Sequence, residues 1–246
     1  MKKCFSLAMV VFIGFVLCSI VSAYYPAFIV RECPHCKTHL AQEETVSGNT
    51  IGAKLYTDGK REAKMLPDHP WLVRCPHCSN LFWVDEAVQV GSGFEAASGE
   101  INVLAPSEKE ILNFLEGLTL PKDKEIYLRM HAWWSANDAW RWVPNPKPVF
   151  SEAQIKNLEA LSAILNEAEP IERILKAEIA RELGHFDNSK NLLSFEFAEK
   201  FSYAASIIRQ LAEEGDSRVR LISPSTPEPS KPRSYPSSRK SRIKTE

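Results

Sequence analysis

The tetrapeptide Cys-Pro-His-Cys occurs twice, at Cys33-Pro34-His35-Cys36 and at Cys75-Pro76-His77-Cys78. The chain has six cysteines, and the other two, Cys4 and Cys18, lie within residues 1–23. Each C-x2-C pair is a short-range chelating knuckle. Two knuckles brought together by folding offer four thiolates, the donor set of a tetrahedral zinc ion. Residues 37–74 must therefore return the chain so that the two knuckles meet. The expected ligands of a bound Zn2+ are Cys33, Cys36, Cys75 and Cys78. Four thiolates fill such a site, so His35 and His77 are expected to point outward and no coordination position is left open for chemistry.

The N-terminus reads as a targeting segment. Lys2 and Lys3 precede an apolar run from Phe5 to Val21, and Val21-Ser22-Ala23 offers small residues suited to a signal peptidase. The stretch 4–23 is also about as long as a membrane span needs. A cleaved signal peptide and an uncleaved anchor both fit residues 1–23. Either one places the rest of the chain outside the cytoplasm, periplasmic or anchored in the cytoplasmic membrane. That compartment is oxidising, so two disulfides are an alternative state of the four thiols.

Residues 24–92 form the expected metal module. Ala27–Val30 reads as a strand entering the first knuckle, and Ile51–Tyr56 as a second short strand between the turns Ser47–Thr50 and Thr57–Lys60. Trp71-Leu72-Val73 enters the second knuckle, and Leu81-Phe82-Trp83-Val84 leaves it with strong β formers. Strand, knuckle, strand, with two Cys-Pro-x-Cys knuckles, resembles a zinc ribbon. That resemblance implies a closed metal staple for a module whose own core is small. The family usually carries Gly just after a knuckle, where Lys37 and Ser79 stand here. Cys-Pro-His-Cys also resembles the active-site tetrapeptide of bacterial disulfide oxidases, which implies a thiol–disulfide oxidoreductase as the alternative. In that family the first thiol is acidified at a helix N-terminus, and Lys37–Gln42 could start such a helix.

Gly91-Ser92-Gly93 and Ala96–Gly99 mark a boundary, with residues 93–105 expected as a linker and 106–216 as a helical domain. Ser107-Glu108-Lys109-Glu110 and Ser151-Glu152-Ala153-Gln154 are capping boxes. Between them a helix from about Asp123 to Trp140 places Ile126, Met130, Trp133, Asn137 and Trp140 on one stripe and Tyr127, His131, Trp134 and Asp138 on the next. Two readings follow. The stripe is a wide buried face where helices pack, or Trp133, Trp134 and Trp140 line an aromatic groove for a protein partner, with Asn137, Asp138 and Arg141 as its polar part. From Pro170 a helix runs to Leu183, turns at Gly184, and is expected to return over Asn188–Phe197. Ala177, Ala180, Leu183-Gly184, Phe186, Ser189 and Leu193 resemble a single tetratricopeptide hairpin spanning 170–197, which implies a protein-interaction role. A last helix covers Lys200–Glu214.

Residues 217–246 read as a disordered basic tail, in which 223–246 set Lys231, Arg233, Arg239, Lys240, Arg242 and Lys244 against Glu228 and Glu246. The formal net charge of −1 gives the whole chain no field for polyanions, and the leader argues against nucleic acid as a partner, leaving a nucleic-acid-binding ribbon as a second alternative. No paired carboxylates, nucleophile elbow or phosphate loop stands out. The expectation is an α+β chain of bacterial type: a small β zinc-ribbon-like module, then a mainly α-helical domain, serving as an exported or membrane-anchored interaction or scaffold protein rather than an enzyme.

Overall fold

A computed structural model describes residues 25–94, 101–143 and 149–222. Residues 1–24, which hold the expected targeting segment, and residues 95–100, 144–148 and 223–246 lie outside the described residues. Among those described, no helix is long and apolar enough to cross a membrane. The fold is α+β, as expected.

Among the described residues, eight strands come first and six helices after them; the strands are β1 (Tyr25–Glu32), β2 (His39–Ser47), β3 (Lys54–Leu55), β4 (Arg61–Glu62), β5 (Leu72–Arg74), β6 (Leu81–Trp83), β7 (Val88–Gly93) and β8 (Ile101–Asn102). The main sheet has the order β7-β1-β2-β8, antiparallel except for the β2–β8 pair. β3 pairs with β4, and β5 with β6, each antiparallel. Each cysteine knuckle is thus the turn of a hairpin, β1–β2 for the first and β5–β6 for the second.

Two stretches depart from the sequence reading. His39–Ser47 looks mixed and polar, yet it is β2, because β1 pairs with it from Glu32 against His39 to Pro26 against Thr45, with a register shift before Tyr25 meets Ser47. The helix that Lys37–Gln42 could have started therefore does not form. Gly91 and Gly93, read as boundary residues, belong to β7. Gly91 lies against Val30, where a Cβ would sit 3.6 Å from the valine's own. Beyond the glycines, β8 and Leu104 stay attached: Leu104 exchanges both backbone hydrogen bonds with Arg74 at 2.8 and 3.0 Å.

Six helices follow: α1 (Glu108–Leu115), α2 (Lys122–Arg141), α3 (Glu152–Ile164), α4 (Pro170–Glu182), α5 (Phe186–Leu192) and α6 (Glu199–Glu213). Both capping boxes form. The Ser107 and Ser151 hydroxyls accept from the Glu110 and Gln154 amides at 3.3 Å, and the Glu110 and Gln154 side chains accept from the serine amides at 2.8 Å. Pro121 and Pro170 stand where a missing N–H costs nothing, at the starts of α2 and α4. α4 and α5 pack across a turn at Gly184, whose φ of +80° suits glycine. α5 is shorter than the expected return helix and ends at Leu192.

The β5–β6 hairpin joins the two halves through strand alternation. Val73 and Phe82, directly paired, face the cysteines with Leu40. Leu72 and Trp83, the next pair, face the opposite way and bury themselves against Ile111, Leu128 and Ala132 of α1 and α2. Lys124 of α2 lies 4.4 Å from the Trp83 ring centre and 5.4 Å from that of Trp71, with Glu86 accepting from its ammonium at 2.5 Å. Residues 217–222, expected to open a disordered tail, belong to the fold instead, because their backbone finds hydrogen-bond partners at Leu55 and Thr57. Leu221 bridges Tyr56, and the Ile222 amide donates to the Leu55 carbonyl at 2.8 Å, so this strap runs alongside the β3–β4 hairpin.

Candidate metal centre

The two knuckles have the same backbone. In the first, the Cys33 amide donates to the Thr38 carbonyl at 2.9 Å and the Lys37 amide to the Cys33 carbonyl at 3.0 Å. In the second, the Cys75 amide donates to Asn80 at 3.0 Å and the Ser79 amide to Cys75 at 2.9 Å. Closing so tight a turn requires a left-handed residue after the second cysteine. Lys37 and Ser79 adopt it, at φ +65° and +62°, and among the described residues they are the only non-glycines with positive φ. Two L-residues thus hold positions that a glycine would occupy without strain.

This turn aims amides at sulfur. Cys33 accepts from the amides of His35 and Cys36, Cys75 from those of His77 and Cys78, Cys36 from Thr38, and Cys78 from Asn80. Such donors favour the thiolate. The Thr38 hydroxyl lies 3.3 Å from Cys36 Sγ, and Asn80 Nδ2 donates to Cys78 Sγ at 3.5 Å. Burial competes with them. Cys33 and Cys75 are fully buried; burial pushes the Cys33 thiol up and the Cys75 thiol to about 12. Cys36 and Cys78 are half-buried. The Thr38 hydroxyl and amide bring Cys36 down to about 5, and the Asn80 amide lowers Cys78.

The sulfurs converge as the spacing predicts. Cys33 and Cys78 Sγ are 3.8 Å apart, Cys36 and Cys75 Sγ 3.6 Å, and all four lie within 4.8 Å of one another as free thiols. A tetrahedral ion with bonds of about 2.3 Å to sulfur spaces its ligands by about 3.8 Å. The four cysteines can therefore hold a metal ion. Their neighbours Leu40, Val73 and Phe82 are buried, while His35 and His77 are exposed. Each knuckle leads into a strand, β2 or β6, and the first cysteine of each is the buried one.

The tryptophan stripe lies elsewhere. Trp133 is 1% exposed in a core with Met130, Leu158, Leu161 and Ile179, and the crevice beside it has no room for a water molecule. Its indole donates to Glu182 Oε2 at 2.8 Å, and the Trp134 indole donates to the Asp58 carbonyl at 2.9 Å. Trp140 is half-buried. Asn137, Asp138 and Arg141 do form a polar network, but with residues the sequence reading left out: Asp58, in a turn read only as a turn, and Glu182 of α4, which has the charges of Glu178 and Arg181 beside it. The i, i+3, i+4 spacing of Glu178, Arg181 and Glu182 on one face of α4 was the available signal.

No family model matches this chain, and neither does any curated protein or solved structure. The sulfur geometry is what speaks for its role.

Proposed function

We propose that the four cysteines bind one zinc ion as a closed structural staple, and that the chain is an exported or membrane-anchored interaction protein built on that staple. The observation that carries the reading is the position of the four sulfurs. They sit at tetrahedral spacing in two matching turns, on the apolar face of a hairpin whose other face is the floor of the helical core. Soft sulfur donors in a tetrahedral set suit zinc. A metal with four protein thiolates has no open position for a substrate, so its contribution is folding free energy.

The cysteine order also bears on the oxidoreductase alternative. An attacking thiol must be accessible, and here the first cysteine of each pair is enclosed, with no helix start behind it. A partner would meet the surface of the helical half rather than the Trp133–Trp134 stripe, which the core occupies. Ile171 and Phe195 are exposed there, with Arg173 stacked 4.7 Å over the Phe195 ring.

Alkylation of the native protein separates the readings. The staple requires all four thiols to react slowly and together, and quickly once a chelator is added. Immediate labelling of one cysteine per pair without chelator would favour thiol–disulfide exchange. Cell fractionation tests the location, and a purely cytoplasmic protein would overturn it.

A further inference from the structure

Between the β3–β4 hairpin, α2, α4 and the strap lies a cluster of charged side chains cut off from water. Asp58, Glu178 and Arg181 are 0% exposed, Glu182 is 5% exposed, and the side chain of Arg141 is fully buried. Burying charge is tolerated only where partners neutralise it. Two of the carboxylates are so matched. Arg141 clamps Asp58 with two nitrogens, at 2.6 and 3.3 Å, and Arg181 clamps Glu178 with two, at 2.5 and 2.7 Å. The remaining cations nearby are already held by carboxylates near the surface. Lys60 pairs with Asp138, which also takes Arg141, and Arg218 and Arg220 pair with Asp216.

Among the described residues, no cation pairs with Glu182. Its oxygens meet only neutral donors, the Trp133 indole at 2.8 Å and the Asn137 amide at 3.1 and 3.2 Å, and Asn137 Nδ2 also reaches Asp58 at 2.9 Å. We infer that Glu182 is a buried proton-binding site, and that its proton keeps the C-terminal strap clasped to the rest of the fold. Burial first, then the charges of Glu178 and Asp58, push this carboxyl well above its ordinary range, in keeping with the geometry.

The clasp follows from what the neighbours hold. Arg181, next in sequence to Glu182, donates to the Asp216 carbonyl, and to the Arg218 carbonyl at 2.9 Å. Thr57, next to Asp58, donates its amide to the Arg220 carbonyl at 2.8 Å and accepts from the Arg220 amide at 3.0 Å. Ionised Glu182 would set a third negative charge against Asp58 and Glu178, the anions on which both guanidiniums are seated. Lifting the strap and the 56–58 turn together would let water in to solvate it. A group whose folded pKa is raised contributes stability that is fully present below its unfolded value and is lost as pH rises through the folded one. The clasp is therefore closed in acid and loosens in alkali.

Amide hydrogen exchange of the full chain at Thr57, Arg220 and Ile222, from about pH 6 to about pH 10, compared with Glu182→Gln, tests this. Between the ordinary carboxyl pKa and the raised folded one, wild-type protection should fall by up to about tenfold per pH unit relative to the variant and then level off, while the variant's protection should track intrinsic exchange alone. Equal protection in the two proteins at every pH would overturn the inference. Asp58→Asn keeps Glu182 in place and removes one of its repelling charges, so the transition should move to lower pH. An unchanged midpoint there would also overturn it.

Discussion

Lys37 and Ser79 hold a backbone conformation that L-residues avoid, in turns that a glycine would close without strain. A left-handed L-residue costs about 1–2 kcal/mol. Glycine returns about 0.5–1 kcal/mol of that through the extra freedom of its unfolded chain. Lys37→Gly and Ser79→Gly should therefore each stabilise the metal-loaded protein by about 0.5–1 kcal/mol, a gain in Tm of about 1–4 °C for a chain of this size. Lys37 also pairs with Glu32 at 3.0 Å, but its side chain is 67% exposed, so little is lost with it. Lys37→Ala removes the same pair and keeps the strain, which makes it the control. Urea unfolding, followed by tryptophan fluorescence with zinc present, should rank glycine above wild type and alanine at or below it. Glycine variants no more stable than the alanine control would refute the idea that these two turns are strained at Lys37 and Ser79.

Leu128→Ala removes a fully buried side chain from the seam between the hairpin and the helices, and should cost about 2–5 kcal/mol on chemical denaturation. Arg141→Ala strands Asp58 and should cost about 3–5 kcal/mol, much of it recovered in the double variant with Asp58→Asn, as a double-mutant cycle would show. Asp216 gives a pH test. Burial works to raise its carboxyl, but hydrogen bonds from Arg218 and then Arg220 outweigh burial and hold it well below the usual range. A depressed folded pKa contributes stability above the unfolded value, near pH 4, that is lost as pH falls. Asp216→Asn should therefore lower stability at neutral pH and flatten the acid limb of a stability–pH curve; an unchanged acid limb would contradict it.

What the sequence disclosed is what short-range chemistry decides. The two cysteine knuckles, both capping boxes, the proline starts of α2 and α4 and the Gly184 turn each depend on a few adjacent residues. The longer-range features were hidden. β2 carries Gln42, Glu43 and Glu44 and is a strand only because β1 lies beside it with Arg31 reaching Gln42 and Glu44, at 3.3 and 3.1 Å. Asp58 looked like turn chemistry, and Gly59 at φ +77° does make a turn, but its carboxylate is committed to Arg141, far along the chain. The strap over Thr57 could not be read from its composition, because the basic residues after it dominate that end of the chain. Trp133 and Trp134 show why an aromatic stripe leaves two readings open: spacing places rings on one face, and only packing decides whether that face meets solvent or Leu158 and Leu161.

The most direct test of the metal staple is elemental analysis of protein purified from its own compartment, with a thiol count after denaturation. The account predicts one zinc ion per chain, and four reactive thiols from Cys33, Cys36, Cys75 and Cys78. A chain with no metal and with those four cysteines locked in disulfides would contradict it.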